Sequence, residues 1–234
     1  MTLSVATFAG FSPDLLDFLG VLRRNNSREW FTGHRDQYEH VLLDPARAFV
    51  EAMGELLSRL GTGIHAEPKV HGSILAFNRD TRFSADKTPY KTHLDLWFWH
   101  GSGEGSNRER PGYFMRVDDQ QLILGAGMHG FSAEGALDRY RQAVLDEQRG
   151  AALETAAQAV GIEHVQGRTY ARVPRGLPVD HARADWLRHS GLYAESSFEP
   201  TPHQLFSPAA VDFCLDQFQR FTPVLQWLVD LLPT

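Results

Sequence analysis

One fifteen-residue segment, residues 79–93, concentrates the side chains of this chain that could do chemistry. It holds four cations, two carboxylates, a phenol and an imidazole: Arg79, Asp80, Arg82, Asp86, Lys87, Tyr90, Lys91 and His93. Four cations minus two carboxylates give +2 locally, whereas the whole chain carries −6, which leaves −8 elsewhere. Arginine presents a planar fork to phosphate or carboxylate, and lysine a compact charge. A positive island on an acidic protein attracts small anions. The segment therefore predicts a site for a phosphate- or carboxylate-bearing small molecule.

Three interpretations of this segment remain open. The first is an enzyme, in which His93 or Asp86 transfers protons. The second is a non-catalytic module that binds a nucleotide, a nucleic-acid end or an acidic protein. The third is a structural ion-pair network that braces a long loop, because dense charged segments often have that role. In the first two cases the predicted ligand-binding residues are the same: Arg79, Asp80, Arg82, Ser84, Lys87, Tyr90 and Lys91.

A strand is predicted to follow the segment directly. Pro89 restricts the preceding residue to extended geometry, so the chain should continue into a strand over residues 93–99. Side chains alternate along a strand, which places His93 and Asp95 on one face together with Trp97 and Trp99. These tryptophans could stack a nucleic-acid base, or they could lie beneath helices packed on that face.

The remaining elements predict an α+β fold. Apolar residues recur at helical spacing in several stretches, namely 14–24, 28–42, 44–61, 133–146, 147–160, 181–189 and 208–232. Strand-like stretches lie at 70–77, 93–99, 113–117, 122–124 and 192–198, and the short turn Asp118–Gln120 predicts an antiparallel hairpin. A central, mostly antiparallel sheet from the middle of the chain should be flanked by N-terminal and C-terminal helices in a single domain, residues 1–234. The glycine- and serine-rich stretch at 101–107 predicts a polar loop.

Composition narrows the classes of function. With 234 residues and 42% hydrophobic content, the chain can bury a substantial core. The net charge of −6 disfavours general binding to nucleic acid or to an anionic membrane, while a local basic patch keeps a nucleic-acid end among the alternatives. The single cysteine, Cys214, excludes an internal disulfide and fits an apolar helical pattern. No signal peptide or long apolar run is visible, so we predict a cytoplasmic protein without a membrane partner.

No cofactor or metal is predicted. The histidines form no H-E-x-x-H motif and no close pair at helical spacing. Residues 125–130 fit the G-x-G-x-x-G pattern of dinucleotide sites. However, the preceding strand is predicted to pair in a hairpin, and a second helix stands where the next parallel strand should follow. We therefore interpret Gly125 and Gly127 as a tight turn with positive φ.

The segment from Arg79 to His93 resembles the signature of domain-of-unknown-function family 2461, which occurs in bacteria and fungi. The resemblance covers most of the chain: Arg28–Phe31 with Tyr38, Glu67–Val70, Gly125–Gly127 and Pro174–Gly176 also fit the family pattern. It favours a role for residues 79–93 and implies no particular reaction. The chain departs from the pattern at Ala76, where relatives commonly carry a base, at Asn78, where tyrosine is frequent, and at Asp95, which replaces a small residue. These departures suggest a ligand or an affinity that differs from those of relatives.

Overall fold

The computed structural model describes residues 8–59, 62–82, 84–101 and 106–232. In this part of the chain the α-helices are α1 (Asp14–Arg24), α2 (Arg28–Gly33), α3 (Arg35–Tyr38), α4 (Asp44–Arg59), α5 (Ala136–Leu145), α6 (Glu147–Val160) and α7 (Ala210–Leu231). The strands are β1 (Ile64–His65), β2 (His93–His100), β3 (Gly112–Asp118), β4 (Leu122–Met128), β5 (Val165–Arg168) and β6 (His189–Phe198). They form a six-stranded antiparallel sheet in the order β1-β2-β3-β4-β6-β5. The predicted α+β fold with N- and C-terminal helices is confirmed.

The chain divides into two compact units. The first comprises residues 1–98, 114–124 and 197–216, and the second comprises residues 99–113, 125–196 and 217–234. Strands β2, β3, β4 and β6 and helix α7 each contribute residues to both units. The single domain expected from the sequence stays a prediction.

The first unit begins with α1, as its apolar spacing predicted. The hydroxyl of Ser12 accepts a hydrogen bond from the backbone N–H of Asp14 at 3.1 Å, which satisfies one donor at the helix start. Leu15, Phe18, Leu19 and Leu22 are buried on one face. Asn25 ends the helix, since its backbone N–H returns to the carbonyls of Val21 and Leu22.

Helical structure continues from α3 into α4 through a π-helical turn at Glu39–Leu43. Pro45 lies two residues after this turn and has no N–H to donate to it. The missing donor favours the wider turn, because a regular α-helical bond cannot form there. The sequence predicted one helix over 28–42 and a separate one from Asp44. The structure instead has α2, a short α3 and, through the π-helical turn, a continuous passage from α3 into α4. The predicted end of this helix at Gly61 lies outside the described residues.

Other predicted boundaries changed. The expected helix at 181–189 is a single 3₁₀ turn, Trp186–Arg188, and the sheet gains two short strands, β1 and β5, which have no alternating apolar pattern to mark them. The polar loop predicted at 101–107 lies largely in residues 102–105, outside the described residues. Gly125 and Gly127 belong to β4 and not to a turn. A Cβ on Gly127, whose φ is +136°, would lie 2.4 Å from the carbonyl oxygen of Leu192, so close strand packing requires this glycine.

Candidate functional site

The segment 79–93 forms part of an irregular β-hairpin. Near its base, the backbone N–H of Leu75 donates to the carbonyl of Asp95 at 3.0 Å and that of Trp97 donates to Ser73 at 2.8 Å. Nearer the tip, Arg79 donates to Pro89 at 2.9 Å and Lys91 to Phe77 at 2.8 Å. The predicted strand at 70–77 is thus an irregular arm with isolated bridges to the other arm.

The two paired stretches of this hairpin are out of register. The pairing partners require Ala76 to lie opposite three residues, Thr92, His93 and Leu94. Such a bulge bends the strand and redirects its side chains. His93, the first residue of β2, therefore lies in the bulge opposite this arm.

The hairpin is held next to its tip by α2 and by the connection between α1 and α2. The side chain of Asn26 donates to the carbonyl of Tyr90 at 2.8 Å and accepts from its backbone N–H at 3.1 Å. The ring of Tyr90 stacks on Phe31 of α2 with centroids 4.1 Å apart, and Phe77 lies 5.8 Å from Phe31. The aromatic cluster and the two hydrogen bonds of the Asn26 side chain thus hold both arms of the hairpin where they enter the charged tip.

Within the tip, residues 80–88, most charged groups have partners in the same loop or at its edge. Arg79 pairs with Asp86 and donates to the Thr88 hydroxyl at 2.5 Å. Arg82 pairs with Asp80 at 2.7 Å. The Lys87 ammonium donates to the backbone carbonyl of residue 81 at 2.8 Å.

These pairs hold both carboxylates of the loop in the ionised form. The hydrogen bond from Arg82 lowers the pKa of Asp80 to about 2. The hydrogen bonds from Arg79 and Thr88 lower the pKa of Asp86 to about 2. A carboxyl group of such low pKa is a weak base at neutral pH and carries no proton to donate. Ser84 makes no hydrogen bond among the described residues, and its neighbour Phe83 lies outside them.

A second cluster forms where the hairpin enters β2, around the carboxylate of Asp95. Its Oδ2 lies 3.2 Å from the Lys91 Nζ and 3.2 Å from the His93 Nε2, and its Oδ1 accepts from the Nε of Arg116 at 2.6 Å. The Asp95 side chain is only 8% exposed, whereas those of His93 and Arg116 are 25% and 45% exposed. The cluster therefore has a buried carboxylate and a basic side that reaches solvent.

The charges of this cluster are unequal. Burial raises the pKa of Asp95, but the hydrogen bonds and charges of His93 and Arg116 outweigh it, so this pKa lies well below its ordinary value. Among the described residues, Lys91 and Arg116 thus place two cations beside one carboxylate.

The structure separates the predicted site residues into two groups. Arg79, Asp80, Arg82, Asp86 and Lys87 engage one another or the loop backbone, while Lys91 and His93 meet Asp95, as the shared strand face indicated. Sequence reasoning missed Arg116, which interrupts the apolar alternation of β3 as its exposed residue. It also missed Asn26, whose only signal was its place at a helix end.

The tryptophans of β2 do not form a stacking surface. Trp97 and Trp99 are each 4% exposed, and Trp97 stacks on Phe114 of the next strand. A ring that is covered on its faces has no surface for a nucleic-acid base. Of the two interpretations, the one in which Trp97 and Trp99 are covered by packed elements therefore fits the structure.

Among the described residues, no group of three or more His, Cys, Asp or Glu side chains is placed to hold a metal ion. No helix in this part of the chain has the length and apolar character needed to span a bilayer.

The profile of the family described as "Conserved hypothetical protein (DUF2461)" matches residues 14–227, which is nearly the whole chain. The chain belongs to this family. Comparison with curated proteins and with solved structures gives no match.

Proposed function

We propose that this member of the DUF2461 family binds a small anion, bearing phosphate or carboxylate, at the basic cluster of Lys91, His93 and Arg116. The observation that carries the proposal is the convergence of these three side chains on the buried carboxylate of Asp95. Asp95 neutralises one charge and holds the three donors in place around it. Donors held by a shared carboxylate lose little entropy on binding, so such a cluster suits anion recognition.

The proposal shifts the centre of the predicted site from the loop to the start of β2. In the loop, Arg79, Arg82 and Lys87 are engaged with Asp86, Asp80 and a backbone carbonyl. An anion there would have to displace these partners. At the cluster, Lys91 and Arg116 share the single carboxylate of Asp95, so the described cations there outnumber the described carboxylates.

Proton transfer at this site would fall to His93. Its Nε2 lies 3.2 Å from the Asp95 carboxylate, which can orient the ring. Asp86, the other candidate from the sequence, is ionised and held by Arg79 and Thr88, which suits a positioning role. An enzyme acting on a phosphate-bearing substrate is the function class that this geometry would serve.

A non-catalytic structural role for residues 80–88 is the second candidate, and the internal pairing of the loop favours it. Under this alternative the ion pairs close the tip of the hairpin, while the aromatic cluster next to the tip holds the hairpin to α2. The loop then needs no ligand.

Calorimetric titration with inorganic phosphate and with acetate tests the site. Lys91→Ala should weaken phosphate binding about tenfold or more, since a charge-assisted hydrogen bond is lost. Lys87→Ala is the matched control, an exposed lysine of the same segment whose ammonium contacts only a backbone carbonyl among the described residues. It should bind phosphate as native protein does.

The outcomes separate the candidates. Loss of binding in Lys87→Ala but not in Lys91→Ala would move the site to the loop. No binding of either anion to the native protein would contradict the proposal and leave the structural role. Where a phosphate-bearing compound is turned over, His93→Gln, whose amide can still donate a hydrogen bond to the anion, should lose far more turnover than binding if the protein is an enzyme.

A further inference from the structure

A cavity of about 200 Å³ lies in the second unit, which does not contain the basic cluster. Its walls come from the end of β2, the turn before β3, the beginning of α5 and the end of α7. The lining residues are His100, Glu109, Arg110, Pro111, Ala133, Ala136, Arg139, Val229 and Leu232. None of them belongs to the segment 79–93.

The polar part of the lining is rich in arginine. Arg110 and Arg139 contribute two cations, and Glu109 contributes one carboxylate, while Arg110 and His100 have further partners. Glu109 accepts a hydrogen bond from the Ser132 hydroxyl at 3.2 Å, so part of its capacity is already engaged. Arg139 is exposed and forms no ion pair among the described residues, so it is the cation of the lining that a small anion could approach.

Arg139 occupies an unusual place for a cation. A Cβ built on Gly135 would lie 3.9 Å from the guanidinium carbon of Arg139, so this side chain turns back over the residue that precedes α5. The N-terminus of a helix is its positive end, where a cation is unfavourable and an anion is stabilised. In the described part of the chain no side chain caps this helix, and no carboxylate pairs with the Arg139 guanidinium. An anion placed here would satisfy both the helix end and the arginine.

The rest of the lining is apolar and limits the size of the ligand. Pro111, Ala133, Ala136, Val229 and Leu232 form this part. A cavity of about 150 Å³ accommodates benzene, so about 200 Å³ holds a six-carbon body together with one carboxylate. A single guanidinium, that of Arg139, beside an apolar wall favours such a monoanion over a phosphate dianion.

We propose that this cavity is a second ligand site, which binds a small monocarboxylate with an apolar body of benzoate size, its carboxylate between Arg139 and the N-terminus of α5 and its body against the apolar wall. This assignment does not depend on the anion site at Lys91, since it rests on other residues in the other unit. Charge and shape act together here: the arginine selects the carboxylate, and the apolar wall excludes hydrated ions such as inorganic phosphate.

Benzoate and its neutral analogue benzamide are the probes that test the proposal. In titrations followed by NMR of alanine methyl groups, benzoate should shift the Ala133 and Ala136 signals with a Kd on the order of 1 mM. Benzamide should bind about tenfold more weakly or worse, because it lacks the charge that Arg139 recognises. Arg139→Gln should weaken benzoate about 10- to 100-fold and bring it close to benzamide.

Two variants locate the effect in the cavity. Ala133→Leu adds bulk to a half-exposed position in the wall and should abolish binding of both probes without unfolding the protein. Arg172→Gln is the matched control: this arginine is exposed, lies in the same unit and makes no ion pair in the described part of the chain, so benzoate affinity should be unchanged. Benzoate is a carboxylate that the cluster around Lys91 could also bind, so its affinity for the cavity is measured only from the Ala133 and Ala136 signals, whose residues line the cavity.

The proposal is overturned by any of three results. One is equal affinity of native protein and Arg139→Gln for benzoate. Another is equal affinity of native protein for benzoate and benzamide. The last is the absence of shifts at Ala133 and Ala136 on saturation with benzoate.

Discussion

Asp95→Asn is the substitution that most directly tests how the basic cluster is held. Asp95 is 8% exposed and is the shared partner of Lys91 and Arg116, whose side chains are 17% and 45% exposed. Asparagine keeps the shape of the side chain and one acceptor oxygen, but it removes the negative charge. Two cations then face each other without the carboxylate between them.

The expected magnitude follows from these exposures. Removal of one partner from a buried ion pair typically costs about 3–5 kcal/mol of unfolding free energy. Arg116 is nearly half exposed, so water compensates part of that cost, and the remaining oxygen of asparagine can still accept its hydrogen bond. We expect Asp95→Asn to lower the unfolding free energy by about 1–3 kcal/mol at neutral pH.

The direction in which pH changes this stabilisation follows from the pKa of Asp95. The pKa of Asp95 in the folded protein is lower than that of an unfolded aspartate, which is about 3.9. The ionised carboxylate therefore stabilises the fold fully above about pH 4, and this contribution is lost as the pH falls towards the folded-state pKa. The difference between native protein and Asp95→Asn should thus shrink below about pH 4.

Urea unfolding followed by tryptophan fluorescence measures both quantities, with the midpoint compared at constant slope. Asp80→Asn is the control, because Asp80 is 56% exposed and its partner Arg82 is 77% exposed. Its midpoint should match that of native protein at neutral pH. An unchanged midpoint for Asp95→Asn would refute the ion-pair account. A loss of stability that persists undiminished in acid would refute its electrostatic origin.

Three further predictions concern packing. Asn26→Ala should cost about 1–3 kcal/mol of unfolding free energy, because it removes both hydrogen bonds to the backbone of Tyr90. Asn25→Ala, at an exposed helix end, should cost less in the same urea assay. Gly127→Ala should destabilise the protein by about 2 kcal/mol or more, since φ is +136° and a Cβ would clash with the backbone of β6. A Cβ on Gly130 would lie no nearer than 4.0 Å to the carbonyl oxygen of Ser190, so Gly130→Ala should shift the urea midpoint less. Cys214 is fully buried and burial raises its pKa, so a thiol reagent should label it only in denaturant, and rapid labelling of native protein would contradict its place in the core.

Much of the fold could be predicted because its signals are local. The apolar stripe of α1, the alternation of β2 and the turn between β3 and β4 depend on residues close in sequence. The short strands β1 and β5 carry no such pattern, because backbone hydrogen bonds to longer neighbours maintain them. Local propensity cannot signal an element whose stability comes from its neighbours.

Two properties of the candidate site follow from residue types and spacing: residues 79–93 form a positive segment, and His93 and Asp95 share one face of the following strand. Composition and the two-residue period of a strand are enough to predict both. Which charged groups pair with each other depends on the tertiary fold. It pairs the loop cations internally and brings Arg116 from β3 to Asp95, which changes the centre of the candidate site from the loop to the start of β2. The physical reason is that ion pairing depends on distances of a few ångströms between side chains, and the fold sets those distances between residues far apart in the chain.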